Sequence, residues 1–133
     1  MIVVDTNIIS YLYISGARSH QVEQLLSFDS HWVAPVLWRS EFRSVMSLYL
    51  RKNYLSFDEV LLIIHQAENL LGANEYEIPS ALIMELVNSS QCSSYDCEFV
   101  ALAQYLGIPL MTADKKILQE FPNITVSLQE FSG

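Results

Sequence analysis

The stretch "SSYDCEFVALAQYLGIPLMTADKKIL", residues 93–118, contains a helix, a strand and the start of a second helix. Apolar residues recur with a helical period over 95–106. A short apolar segment at 110–112 follows and is typical of a buried strand. A second, shorter helix is expected over 114–120. This helix–strand–helix order predicts a strand in a parallel sheet that is covered by helices.

The remainder of the chain repeats this alternation of strands and helices. Further strand-like segments lie at 2–4, 32–34, 76–78 and 124–126. Helical periodicity fills the gaps, and helices are expected over 8–14, 21–27, 37–52, 57–71 and 80–88. The sequence therefore predicts an α/β fold with a central, mainly parallel sheet of about five strands and helices on both faces.

Length and composition favour one domain spanning residues 1–133. Of the 133 residues, 51% are hydrophobic, which is enough for a substantial core. Apolar runs such as 60–64 are too short to cross a bilayer, and the start of the chain does not resemble a signal peptide. Cys92 and Cys97 lack metal-site spacing and are expected to be free thiols. These features predict a cytoplasmic protein without a membrane partner.

The formal net charge of -8 works against general affinity for nucleic acid, because phosphates are repelled by an acidic protein. A nucleic-acid substrate would need bound divalent cations or local basic groups. The candidate basic residues for substrate binding are Arg39, Arg43, Lys115 and Lys116. The alternative for each is an ordinary solvated helix face.

Two aspartates lie directly after predicted strands. In "MIVVDTNIIS", residues 1–10, Asp5 ends the first apolar run, and Asp114 follows the strand at 110–112 with one residue between. Asp5 is either an N-cap for the next helix or a carboxylate held in place for chemistry. Because ligands of parallel sheets bind at the carboxyl ends of the strands, both acids are expected at the same edge.

Two further acids are expected at this edge of the sheet. Glu41 lies in the first turns of the helix that follows the second strand, and Asp96 opens the helix over 95–106. Ser93 or Ser94 can cap that helix, which leaves Asp96 free to face a cleft. Carboxylates a few ångströms apart repel unless they are protonated or bridged by a cation, and Mg²⁺ or Mn²⁺ suits such oxygen ligands. Divalent ions so placed can activate a water for phosphodiester cleavage, which is nuclease chemistry.

Together, the segment "VVDTNII" (3–9), Glu41 at the start of a helix, the stretch 93–118 and the closing "ITV" (124–126) resemble the PIN-domain family. The resemblance extends over nearly the whole chain. It implies an α/β/α sandwich and a metal-dependent endoribonuclease that cleaves RNA with a metal-activated water. The small single-domain members that this chain resembles are the VapC toxins of VapBC toxin–antitoxin pairs.

The resemblance also assigns residues to roles. The catalytic and metal-binding acids of the family fall on Asp5, Glu41, Asp96 and Asp114, and the polar residues that orient them fall on Thr6, Asn7 and Thr112. Many members carry a further acid where this chain has Lys116, so one firmly bound ion is expected. For Glu41, the alternative is an exposed helix glutamate paired with Arg39 or Arg43.

Partners are predicted from apolar residues on two helices and from the resemblance. Trp38, Tyr49, Tyr54 and Leu55, on or beside the helices over 37–52 and 57–71, add more large apolar groups than a small core needs. They either form an interface or fill the core. In VapC-like proteins this region pairs protomers and grips the antitoxin, which implies a homodimer and an antitoxin partner.

Other functional classes fit the sequence less well. A haloacid dehalogenase phosphatase needs a second aspartate at the position of Asn7, and an amide cannot transfer protons. A receiver domain needs neighbouring acids at the end of the first strand, where this chain has Asp5 alone. A catalytically weak PIN scaffold that binds RNA or protein remains the alternative function.

Overall fold

A parallel β-sheet lies at the centre of the computed structural model, which describes residues 1–14 and 16–132. Within that part of the chain the sheet has five strands in the order β3-β2-β1-β4-β5, and all four pairings are parallel. The strands are β1 (Ile2–Val4), β2 (Trp32–Pro35), β3 (Glu75–Tyr76), β4 (Leu110–Met111) and β5 (Thr125–Val126). The helices are α1 (Thr6–Tyr13), α2 (Ser19–Phe28), α3 (Trp38–Arg51), α4 (Phe57–Leu71), α5 (Ser80–Ser89), α6 (Ser94–Leu106), α7 (Lys115–Glu120) and α8 (Leu128–Ser132).

Strand β1 lies in the middle of the sheet because its three consecutive apolar residues need cover on both faces. All three are buried, and Val3 pairs with Val33 of β2 and with Leu110 of β4. Helix α6 packs against β1, β2 and β4. Because β1 and β4 pair in parallel, their carboxyl ends are adjacent at one edge of the sheet.

The predicted fold class, a mainly parallel sheet of about five strands in an α/β/α arrangement, is confirmed. Helix α4 has the predicted bounds, because a capping box at Ser56 and Glu59 begins it and Gly72 ends it. Strand β3 was expected at 76–78 but occupies Glu75–Tyr76, since its register is set by pairing with Ala34 and Pro35 of β2. Helix α8 was not predicted from the sequence.

The structure distinguishes the two roles that the sequence had left open for Trp38, interface or core. Trp38 is fully buried, and its Nε1 donates to Glu75 at 2.7 Å. Core packing is therefore the correct interpretation for Trp38, and its assignment to an exposed interface is wrong. Among the described residues, no helix combines the length and apolar character needed to cross a membrane.

Candidate active site

Asp5 begins α1 immediately after β1 and is buried. Its Oδ1 accepts from the Thr6 backbone N–H at 2.8 Å, and its Oδ2 accepts from the Thr112 hydroxyl at 2.7 Å. Asn7 Nδ2 lies 3.4 Å from the same Oδ2. Asp5 is thus both the N-cap that one interpretation predicted and a carboxylate fixed at the end of the central strand.

Glu41 lies in the first turn of α3 and is half-buried. The Thr6 hydroxyl donates to Glu41 Oε1 at 2.7 Å, so Thr6 contacts Asp5 through its backbone and Glu41 through its side chain. Arg39 instead pairs with Glu68 and Glu75. Arg43 donates to the Arg39 carbonyl, and Glu41 forms no ion pair within the described part of the chain, so the alternative of an exposed Glu41 paired with Arg39 or Arg43 is wrong.

Asp96 and Asp114 lie at the starts of two further helices. The Ser93 hydroxyl caps α6 by accepting from the Asp96 N–H at 3.1 Å, so the Asp96 carboxylate is not needed as a cap. Asp114 is itself the N-cap of α7, since its Oδ1 accepts from the N–H groups of Lys116 (2.9 Å) and Ile117 (3.1 Å). Both bonds go to one oxygen of Asp114.

The four acids influence one another electrostatically. Burial raises the pKa of Asp5 to about 6, and the charges of Glu41 and Asp96 add to the effect. Burial and then the charge of Asp96 raise the pKa of Glu41. Burial and then the charge of Asp114 raise the pKa of Asp96. Burial is thus the main cause of the raised pKa values of Asp5, Glu41 and Asp96, and repulsion from neighbouring carboxylates adds to it.

All four acids line one cleft of about 750 Å³. Thr6 and Asn7 line it as well, whereas Thr112 lies beneath Asp5 and is fully buried. The Thr112 hydroxyl also accepts from the Asp114 N–H at 3.0 Å, and Asn7 Oδ1 accepts from the Ala113 N–H at 3.3 Å. These residues therefore connect the end of β1 to the segment after β4.

The donor set fits a hard divalent cation, because carboxylate oxygens are the preferred ligands of Mg²⁺ and Mn²⁺ and mutual repulsion favours a bridging charge. As the described side chains are placed, no group of three or more His, Cys, Asp and Glu residues is arranged to hold a metal ion. Protein donors occupy oxygens of Asp5, Glu41 and Asp114. Coordination by several acids at once would require these side chains to turn toward a common point.

The basic residues predicted to bind substrate lie outside this cleft. Arg39 is engaged by two carboxylates, with distances of 2.6 Å to Glu75 and 2.9 Å to Glu68. Arg43 is exposed, and its Nε donates to the Arg39 backbone carbonyl. Lys115 lines a neighbouring cavity, and Lys116 is close enough to lower the pKa of Asp96.

Several residues of the site were not identified from the sequence. Arg18, Tyr11 and Tyr49 line the cleft beside the acids, and the charge of Glu98 raises the pKa of Glu41. Arg18 follows the first helix, and no sequence pattern indicates that the chain brings it back toward Asp5. Glu98 is two positions after Asp96, a spacing that does not place two side chains on the same helix face.

Comparisons with known proteins agree with this architecture. The chain matches the PIN domain family over residues 2–123. It is 25% identical over 124 residues to Ribonuclease VapC3 of Pyrobaculum aerophilum, covering 91% of this chain and 95% of that protein. Its fold is similar to FitAcB from Neisseria gonorrhoeae, with a TM-score of 0.77, 14% identity and coverage of 97% and 99% of the two chains.

A toxin–antitoxin complex from Klebsiella pneumoniae contains a chain of similar fold. The TM-score is 0.66 at 19% identity, and the alignment covers 96% of this chain and 98% of that one. The family match spans most of the residues that build the sheet and includes all four acids. The resemblance predicted from the sequence is confirmed, and the chain belongs to the PIN-domain family.

Proposed function

We propose that this protein is a Mg²⁺- or Mn²⁺-dependent endoribonuclease and that residues 1–133 form one PIN-like domain. The observation that carries the proposal is the presence of Asp5, Glu41, Asp96 and Asp114, from four separate segments, in one cleft. Burial and neighbouring carboxylates raise the pKa values of Asp5, Glu41 and Asp96, and a bound cation would offset the repulsion among them. The name of the relative from Pyrobaculum aerophilum, a ribonuclease, supports RNA as the substrate.

In this proposal the four carboxylates hold the cation and the residues around them set its position. Thr112 and Thr6 fix the two oxygens of Asp5, and the Thr6 hydroxyl fixes Glu41. When bound, a divalent ion lowers the pKa of a water and stabilises charge that develops on the phosphodiester. The buried base of the cleft limits hydration around Asp5, which strengthens its interaction with a cation.

Metal-dependent cleavage by the purified protein tests this function. We expect hydrolysis of single-stranded RNA with Mg²⁺ or Mn²⁺ and none with EDTA. Asp96→Asn and Glu41→Gln should each lower the rate by at least about 100-fold, since each removes a proposed ligand. Glu85→Gln is the matched control, because Glu85 is exposed on α5 outside the cleft. Equal rates for Glu41→Gln and Glu85→Gln would contradict the proposal.

The alternative function is a catalytically weak scaffold that binds RNA or protein. It is favoured by the placement of the described acids, which forms no ready-made metal site. Isothermal titration with Mn²⁺ separates the two functions. Binding to wild type that is lost in Asp96→Asn supports the enzyme, whereas RNA binding without metal binding supports the scaffold.

The biological role that we infer is that of a cytoplasmic toxin, inhibited by an antitoxin and assembled as a homodimer. The toxin–antitoxin complex with a similar fold supports this role. Several exposed apolar residues lie close together in sequence on and beside α4 and support an interface, because clustered hydrophobic groups, unlike single scattered ones, favour association. These residues are Tyr54, Phe57, Leu61 and Leu62.

The interface has a direct test in sedimentation velocity at micromolar concentration. We expect a dimer for wild type and a shift toward monomer for Leu62→Glu, since burying an unpaired carboxylate in an interface is costly. Met84→Glu, at an exposed position of α5, is the control. A wild-type monomer would contradict the homodimer but not the nuclease.

A further inference from the structure

We propose that Arg18 and Lys115 bind the backbone phosphates of single-stranded RNA beside the scissile bond. The proposal rests on the proposed nuclease function and adds the path of the substrate. Arg18 lines both the acid cleft and a second cavity of about 150 Å³, and Lys115 lines the second cavity. An RNA strand that runs from the acids past Arg18 into the second cavity therefore passes both Arg18 and Lys115.

Arg18 is held in place by an aromatic ring. Its Cζ lies 5.4 Å from the centre of the Tyr11 ring, and its Nη1 lies 3.5 Å from the Tyr11 hydroxyl. Stacking on a ring limits the motion of the guanidinium, and the donors other than Nη1 stay available, which suits phosphate recognition. Arg18 is otherwise exposed.

Neither Arg18 nor Lys115 forms an ion pair within the described part of the chain. Arg39, in contrast, is paired with two carboxylates and is not available to a phosphate. Lys115 is the first residue of α7, directly after Asp114. Lys115 therefore lies next to Asp114, the acid that follows β4.

The negative charge of the protein makes contacts between cationic side chains and RNA phosphates necessary. With a net charge of -8 and four acids in the cleft, the surface repels a polyanion unless cations face the phosphates next to the scissile one. Tyr49, which is half-buried and packs edge-on against Tyr54, also lines the cleft, and the bases of a single strand stack on aromatic rings. A single strand is therefore the form of RNA that fits both the cations and the ring.

Binding and cleavage of a fluorescent single-stranded RNA test the path. In the Asp96→Asn background, Arg18→Ala and Lys115→Ala should each weaken RNA binding about fivefold, the upper range for an exposed charge pair. Each should also reduce the slope of log K against log salt by about 0.7, the value for one phosphate contact on a single strand. With Asp96 intact, KM should rise while kcat changes little.

Arg51→Ala is the matched control, because Arg51 is exposed and lines neither cavity. Arg18→Lys should retain part of the affinity, since it keeps the charge but loses the planar fork. Unchanged RNA affinity and salt slope in both Arg18→Ala and Arg18→Glu, with native circular dichroism, would overturn the proposal. If wild type does not cleave RNA at all, the nuclease function fails, and the binding measurements still decide whether Arg18 and Lys115 contact RNA.

Discussion

Replacement of Asp5 by Asn should stabilise the metal-free protein above neutral pH. The pKa of Asp5 rises from 3.8 to about 6 on folding, so its ionised form opposes folding by about 3 kcal/mol at about pH 8. The amide carries no charge but gives up one acceptor, and the bond to Thr112 or Thr6 is weakened at a cost of about 1 to 2 kcal/mol. The net gain is about 1 to 2 kcal/mol, or an increase in Tm of about 3 to 8 °C.

Thermal unfolding in EDTA at about pH 8 and about pH 5 measures this effect. At the lower pH wild-type Asp5 is largely protonated, so the advantage of the variant should shrink by about 1 kcal/mol. Mg²⁺ should raise the Tm of wild type much more than that of Asp5→Asn, because a ligand of the folded state stabilises according to its affinity. If the variant melts below wild type in EDTA at both pH values, the ionised Asp5 does not oppose folding. If both proteins respond equally to Mg²⁺, Asp5 does not bind the ion.

Three further predictions concern the surroundings of this carboxylate. Metal-free wild type should lose stability as pH rises from about 4 through about 6, because the folded-state pKa of Asp5 lies above its unfolded value and the protonated form favours folding. Urea midpoints in EDTA measure this loss of stability. Thr112→Val should lower the free energy of unfolding by about 2 kcal/mol and weaken the Mg²⁺-induced shift in Tm, since the Thr112 hydroxyl donates to Asp5 and accepts from the Asp114 N–H. An unchanged Mg²⁺ response would show that Thr112 does not position the acids. Glu75→Gln should cost about 1 kcal/mol through its partly exposed bonds to Arg39 but leave the Mg²⁺-induced shift in Tm unchanged.

Most of the fold could be predicted because hydrophobic periodicity and helix caps are local signals. The strands at 2–4 and 32–34 and the helix at 57–71 lie within one residue of the observed bounds. Strand β3 could not be placed as well, since it has two residues and its register depends on β2. Helix α8 has five residues, too few for a helical period to be distinguished.

The acids of the site could be predicted because each follows a strand end or opens a helix, and parallel topology brings such positions together. The residues around these acids could not be predicted from the sequence. Arg18 reaches the cleft from the N-terminal end of α2, whose placement beside α1 depends on tertiary packing. The engagement of Arg39 by Glu68 and Glu75 joins residues that lie 29 and 36 positions apart, and no local pattern indicates such pairs.

The central position of β1 has a consequence for protein synthesis. Strand β1 is synthesised before β4, which it needs as a neighbour, and Asp5 receives a hydrogen bond from Thr112, 107 residues later in the chain. Contacts at such sequence separation form late, because the loop must close before they contribute stability. A nascent chain that has not yet reached β4 lacks Thr112 and Asp114, so it cannot assemble the four acids. The four acids of the proposed nuclease can therefore come together only after residue 114 has been synthesised.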